Sequence, residues 1–138
     1  MSVLKNKRNE STIKVITQGD KIVEYTLRML CNESIFPKKS RWLMSGKIAD
    51  LMNEFHQNLH IANDIYVATP EDARERHLRQ TRAYAALYTS ASVMRMAQTV
   101  LQFSADKLDY WAGLCVEEIK LLKAWQKNDD RRYSVSKD

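Results

Sequence analysis

An all-α fold, an antiparallel up-down-up-down four-helix bundle, is what this sequence predicts, and three observations predict it. The 138 residues contain only 3 Gly and 2 Pro, too few breakers for many short elements. Ile48, Met52, Phe55, Leu59, Ala62 and Tyr66 recur at alternating spacings of four and three, the period of a helical seam facing other helices. Strong start signals then divide the rest of the chain, so that four long helices follow one another with short connections and pack as neighbours.

Residues 1–16 read as a polar, basic arm carrying Lys5, Lys7, Arg8 and Lys14. The bundle spans 17–128 and a polar tail 129–138. The first helix is expected from about Gln18 to Asn32, with Ile22, Val23, Thr26, Leu27 and Leu30 on its apolar face. Phe36-Pro37 interrupts it, and the proline can open the second helix. That helix is expected to end near Ala68. There Thr69-Pro70-Glu71-Asp72 supplies an N-cap, a first-turn proline and two first-turn acids. The third helix runs from there to about Phe103, with Leu78, Ala85, Tyr88, Ser92, Met96 and Phe103 marking its inner face. Tyr84, Leu87, Ala91 and Met94 then form an apolar surplus available to a second subunit. Ser104 and Asp106 open the fourth helix, which carries Leu108, Trp111, Cys115, Ile119, Leu122 and Trp125 and ends near Asn128.

Composition bounds the function. Two cysteines, Cys31 and Cys115, in apolar helical stretches suit free, buried thiols in a reducing compartment. No run approaches the roughly 18 apolar residues of a membrane span, and no signal peptide is visible. The expected location is cytoplasmic, with no membrane partner. Nothing resembles a Ser-His-Asp or Cys-His arrangement or a glycine-rich phosphate loop, so no enzyme is read and no cofactor is expected.

Net charge is +5, and its distribution says more than its size. Lys38, Lys39, Arg41 and Lys47 fall within ten positions that hold no acid. Arg74, Arg76, Arg79 and Arg82 fall within nine positions with only Glu75 among them. Such stripes neutralise phosphates and release counterions, the effect that drives non-specific binding of DNA or RNA. They are equally what a solvated helix face presents, with Glu75 pairing Arg79 one turn on. In an up-down bundle the two clusters lie at opposite ends. Arg95, between Met94 and Met96, belongs either to a contact or pore surface or to the edge of the core.

His56 and His60 share a helix face at metal-ligand spacing. Gln57 stands where a zincin has its glutamate, and no convincing third ligand is visible. They are read as boundary histidines, with no metal. Trp42, Trp111 and Trp125 could stack bases, but aromatic residues at helical spacing belong to core or interface.

Several pieces in order resemble one family. Phe36-Pro37-Lys38-Lys39-Ser40-Arg41-Trp42 is similar to its Phe-Pro-Lys followed by Arg and an aromatic. Ile48 in Gly46-Lys47-Ile48 matches its basic-Ile pair, and Ile61-Ala62-Asn63 its Ala-Asn. Met94-Arg95-Met96-Ala97 resembles its Leu-Arg-Leu-Ala, and Glu118-Ile119 with Ala124-Trp125 its Glu-Ile and terminal Gly-Gly-Trp. The family is that of the accessory variability determinant (Avd) proteins of diversity-generating retroelements, related to bundle proteins encoded in intervening sequences of bacterial ribosomal RNA genes. Lys123-Ala124 replaces the glycine pair, and the stretch from Val67 to His77 is longer than the family's connection. The resemblance implies a homo-oligomer, a pentamer, whose basic surface binds nucleic acid and engages a reverse transcriptase in mutagenic cDNA synthesis. The intervening-sequence branch implies instead a protein-interaction module without nucleic-acid function.

Overall fold

The computed structural model describes the backbone of residues 2–133 and the side chains of residues 11–133. Helix α1 covers Ser2–Cys31, α2 Gly46–Asp64, α3 Pro70–Leu101 and α4 Ala105–Tyr133. There is no strand among the described residues. Helix α1 packs on α2 and α4, and α3 on α2 and α4, an all-helical arrangement consistent with a four-helix bundle. Among the described residues no helix is long and apolar enough to cross a membrane.

The α2 seam is the centre of the core. Ile48, Met52, Phe55, Leu59 and Ala62 are wholly buried, facing Ile22, Leu87, Met94, Trp111 and Leu122 from the other helices. Completely burying such side chains contributes on the order of 1.5–3 kcal/mol for each large one. The Trp111 indole, buried in this core, keeps its N–H satisfied. Trp111 Nε1 donates to Thr26 Oγ1 at 2.7 Å, and that hydroxyl donates to the Ile22 carbonyl at 2.6 Å.

Gly19 lies inside α1, where glycine costs about 1 kcal/mol relative to alanine. Its place is explained by crowding. A Cβ there would stand 2.5 Å from Leu59 Cδ2, 2.6 Å from Glu118 Oε2 and 3.0 Å from Phe55 Cζ.

The start signals of α3 and α4 are realised, whereas Pro37 opens only a 3₁₀ turn over Lys38–Ser40 and α2 itself starts at Gly46. Thr69 caps α3: its hydroxyl accepts from the Asp72 amide while the Asp72 carboxylate accepts from the Thr69 amide, a reciprocal capping box with Pro70 in the first turn. The Ala68 amide also donates to Asp72, and these hydrogen bonds hold the Asp72 carboxyl below its ordinary pKa. The turn before α4 is tight as expected. Gln102 closes α3 in the left-handed conformation, φ 58°, and its amide donates to the Gln98 carbonyl at 2.7 Å.

Several expectations need correction. Helix α1 begins at Ser2 rather than near Gln18, and Val15 is already buried; Lys5, Lys7 and Arg8 have side chains outside the described residues. Helix α4 continues to Tyr133, and Asp129 and Asp130 bond to α3, as set out below; residues 134–138 of the expected tail lie outside the described residues. Helix α2 ends at Asp64, so Tyr66 falls beyond the seam and is exposed. Cys31 is exposed, whereas Cys115 is buried and its thiol is pushed up to about 12 by burial and by Glu118. Leu27 is partly exposed.

The largest correction is on α3. Leu87 and Met94 are fully buried, while Leu78, Tyr88 and Met96 are exposed. The inner and outer faces are therefore exchanged relative to expectation. A helix whose inner face is built from Ala73, Ala83, Ala86, Ser90 and Ala97 has little hydrophobic contrast between its sides, so the largest apolar side chains mislead.

Candidate nucleic-acid interface

Between Phe36, which is buried against Phe103 with ring centroids 5.6 Å apart, and α2, the chain winds in two short steps. Lys38–Ser40 forms a 3₁₀ turn and Arg41–Ser45 a wide π-helical turn that runs into Gly46. Ser40 Oγ donates to the Pro37 carbonyl at 2.7 Å and ties the 3₁₀ turn down. Buried Phe36, Ser40, Met44 and Ser45 anchor the segment on one side. Its other side carries Lys38, Lys39, Arg41, Trp42 and Lys47, all of them exposed.

Trp42 is 91 % exposed and so is not a core residue, unlike Trp111 and Trp125, which are buried. With Arg41, Gly46, Lys47 and Asp50 it lines a shallow cleft of about 380 Å³. An indole in water among cations supplies a stacking face beside phosphate-neutralising charge. Lys38 meets an acid, Glu33 at 3.6 Å, with both side chains well exposed; such a pair contributes little. Asp50 is the one acid lining the cleft.

The second cluster is built differently. Arg76 Nε lies 2.9 Å from Asp129 Oδ2 and its Nη2 donates to Oδ1 at 3.4 Å. The Nε contact is close but misaligned for a hydrogen bond, so charge rather than direction holds the pair. Arg76 also donates to the Ile65 carbonyl at 3.4 Å and lies 5.1 Å from the Trp125 ring centroid. Its side chain is 15 % exposed and that of Asp129 8 %.

Gln80 donates to Asp129 at 2.8 Å, His77 contacts Asp130 at 2.7 Å, and Gln126 donates to the His77 carbonyl and the Thr81 hydroxyl. These bonds clasp the start of α3 to the end of α4. Burial raises the Asp129 carboxyl above the ordinary carboxylate range, more than Arg76 and Gln80 lower it.

Arg79 is pinned too, by Glu75 at 2.9 Å and by Asn58, whose amide oxygen accepts at 3.1 Å. Arg74, Arg82 and Arg95 are exposed. The two clusters are well separated: Lys38–Lys47 leads into α2, whereas Arg76 and Arg79 bond to residues at its closing turns. Lys123 is held between two tyrosines, with its Nζ 3.1 Å from the Tyr88 hydroxyl and over the rings of Tyr84 and Tyr88; the hydrogen bond to Tyr88, followed by charge interaction with the Tyr88 and Tyr84 phenol groups, raises its pKa.

A third ligand for the histidine pair, which local spacing does not reveal, is Asp20 of α1. Its Oδ1 accepts from His60 Nε2 at 2.7 Å and lies 3.4 Å from His56 Nε2. Asp20 stands on a different helix from the pair, so no periodicity signals it. Glu118, wholly buried nearby, has neither oxygen hydrogen-bonded. Burial first, then the charges of Asp20 and Glu117, push its carboxyl up to about 9, so it is neutral at physiological pH.

The chain matches no family model, no curated protein and no solved structure.

Proposed function

We propose that this chain is a nucleic-acid-binding accessory protein of the Avd type, built as an antiparallel up-down-up-down bundle. In this reading it acts in the cytoplasm as a homopentamer beside a reverse transcriptase in mutagenic cDNA synthesis. The observation that carries the binding is the exposed Trp42 set in an acid-free run of Lys38, Lys39, Arg41 and Lys47. Cations neutralise the backbone phosphates and the indole stacks on a base, a combination tolerant of sequence. The segment sits on a 3₁₀-to-π winding, an irregularity frequent at functional sites. Arg74, Arg82 and Arg95 add positive surface, while Arg76 and Arg79 serve the fold. The partner and the pentamer rest on the family resemblance.

The test is fluorescence anisotropy with a labelled DNA–RNA hybrid across a salt series. The reading requires sequence-tolerant binding that weakens steeply with salt. Absence of binding at low salt, with the oligomer intact, removes it.

A second reading, a protein-assembly module of the intervening-sequence type, is favoured by a different observation. Tyr88, Met96 and Val100 are exposed on α3, each more than half accessible. These side chains, and not the buried Leu87 and Met94, are the surface left for a second copy. Sedimentation at micromolar concentration separates a ring from a monomer, and a monomer ends both the pentamer and this second reading.

A further inference from the structure

Asp20, His56 and His60 form a three-sided cluster whose donor atoms all lie within 4.8 Å of one another. We propose that this cluster is a binding site for a divalent transition metal of the zinc class. The site goes beyond the polyanion-binding reading and does not depend on it.

The donor set is two imidazoles and one carboxylate, which suits borderline ions such as Zn²⁺ and not Mg²⁺ or Ca²⁺, which prefer oxygen alone. Both separations from the carboxylate to the imidazoles lie near what a zinc ion requires. Ligands at about 2.0–2.1 Å from a tetrahedral zinc are separated by about 3.3 Å along each edge. His56 Nε2 already stands 3.4 Å from Asp20 Oδ1. His60 Nε2 at 2.7 Å has to open by about 0.6 Å to reach that edge length, within reach of a small rotation of the half-exposed Asp20 carboxylate. The histidine rings lie side by side, with centroids 4.4 Å apart, because residues four apart on α2 share a face.

The framework is fixed on both sides. Phe55 and Leu59, each one residue before a histidine, are wholly buried. On α1, Gly19 beside Asp20 is a point of close approach to α2 and α4. The side chains of Asp20 and the histidines are 35–48 % exposed, so solvent reaches the ion and supplies the remaining position. Three protein ligands with an open fourth position is the arrangement of a reactive rather than a purely structural zinc.

The experiment is calorimetric titration of Zn²⁺ into the chelator-stripped full chain, with thermal unfolding in parallel. The expected result is about one Zn²⁺ per chain and a raised unfolding midpoint. His56→Gln and His60→Gln should each weaken the site at least tenfold and remove the thermal shift. His77→Gln, at a histidine outside the cluster, should leave Zn²⁺ binding unchanged, and Mg²⁺ should neither bind nor compete. Both cluster variants alter half-exposed side chains, and circular dichroism checks that they fold. Co²⁺ supplies a second readout, since a four-coordinate site gives intense visible bands that the Asp20→Asn variant should shift or lose. No stoichiometric Zn²⁺ uptake by the native chain, or uptake indifferent to both cluster substitutions, overturns the proposal.

Discussion

The two basic clusters contain the same number of cations and stand at the two ends of α2, yet their side chains do different things. At Lys38–Lys47 the anchoring is done by Phe36, Ser40, Met44 and Ser45, which leaves the cations and Trp42 in water. At Arg74–Arg82 the anchoring is done by the cations themselves, because Arg76 reaches Asp129 and Trp125 while Arg79 reaches Glu75 and Asn58. A guanidinium is suited to such work, being planar, always charged and able to stack on an aromatic face. Charge density along a sequence therefore does not distinguish cations left in water from cations that tie helices together. What distinguishes them is whether another helix supplies a partner, Asp129 for Arg76 and Asn58 for Arg79.

The comparison can be broken most forcefully at buried carboxylates. Glu118 has no hydrogen-bond partner and Asp129 has several, so amide substitutions at the two positions should act with opposite sign. Glu118 has a folded pKa raised to about 9 from 4.5. A raised carboxyl pKa means that the folded state holds the proton longer, so its contribution is present below about pH 4.5 and is lost as pH rises toward 9. Glu118→Gln should therefore exceed the native chain in stability by at least about 2 kcal/mol near pH 8 and by progressively less toward pH 5, read by urea unfolding in chelator. Asp129→Asn should instead cost about 3 kcal/mol, since it leaves Arg76 buried against a neutral amide. Its affinity for a DNA–RNA hybrid should not change.

Next in size is the exposed cluster. Replacing Lys38, Lys39, Arg41 and Lys47 together by Gln should flatten the dependence of log affinity on log salt by about 3–4 units. The urea midpoint should hardly move, as these side chains face water. The contrary result, a destabilised chain with an unchanged slope, would mean that the roles of the two clusters are reversed. Trp42→Ala sharpens the same point: affinity should fall by about 1–3 kcal/mol with the salt slope preserved, because stacking releases no counterions. The smallest effect is expected for Arg82→Gln. It should reduce the slope by at most about one unit, whereas Arg76→Gln should leave the slope alone and lower the unfolding midpoint.

Much of this is legible in the sequence, and the reason is periodicity. The α2 seam from Ile48 to Ala62, the Thr69 cap and the inner residues of α4 follow from local spacing and lie where it puts them, while Tyr66 falls beyond the helix end. What stays hidden depends on contacts across the bundle. Asp129 reads as the start of a polar tail, because nothing near it in sequence tells of Arg76, 53 residues earlier. Asp20 is invisible beside His56 and His60 for the same reason. Trp42 reads as an ordinary core or interface aromatic, although it does not fall on the Ile48–Ala62 seam continued backwards. On α3 the seam is mostly alanine and serine, so its largest side chains point to the wrong face.

The wide turn at Arg41–Ser45 has a further consequence for how sequences of this kind can drift. A π-helical turn accommodates one residue more than the α-helical turn it replaces. Deleting a single residue there lets the winding relax to ordinary α-helix without disturbing the seam from Ile48 onward. Because the wide turn absorbs that residue within one revolution, the segments on either side keep their azimuth, and Phe36 and Ile48 both stay on the core. The point at which this chain can lose a residue cheaply is thus the turn that carries Arg41 and Trp42, so a change of length there reshapes the exposed indole and its cations and spares the packing beneath them.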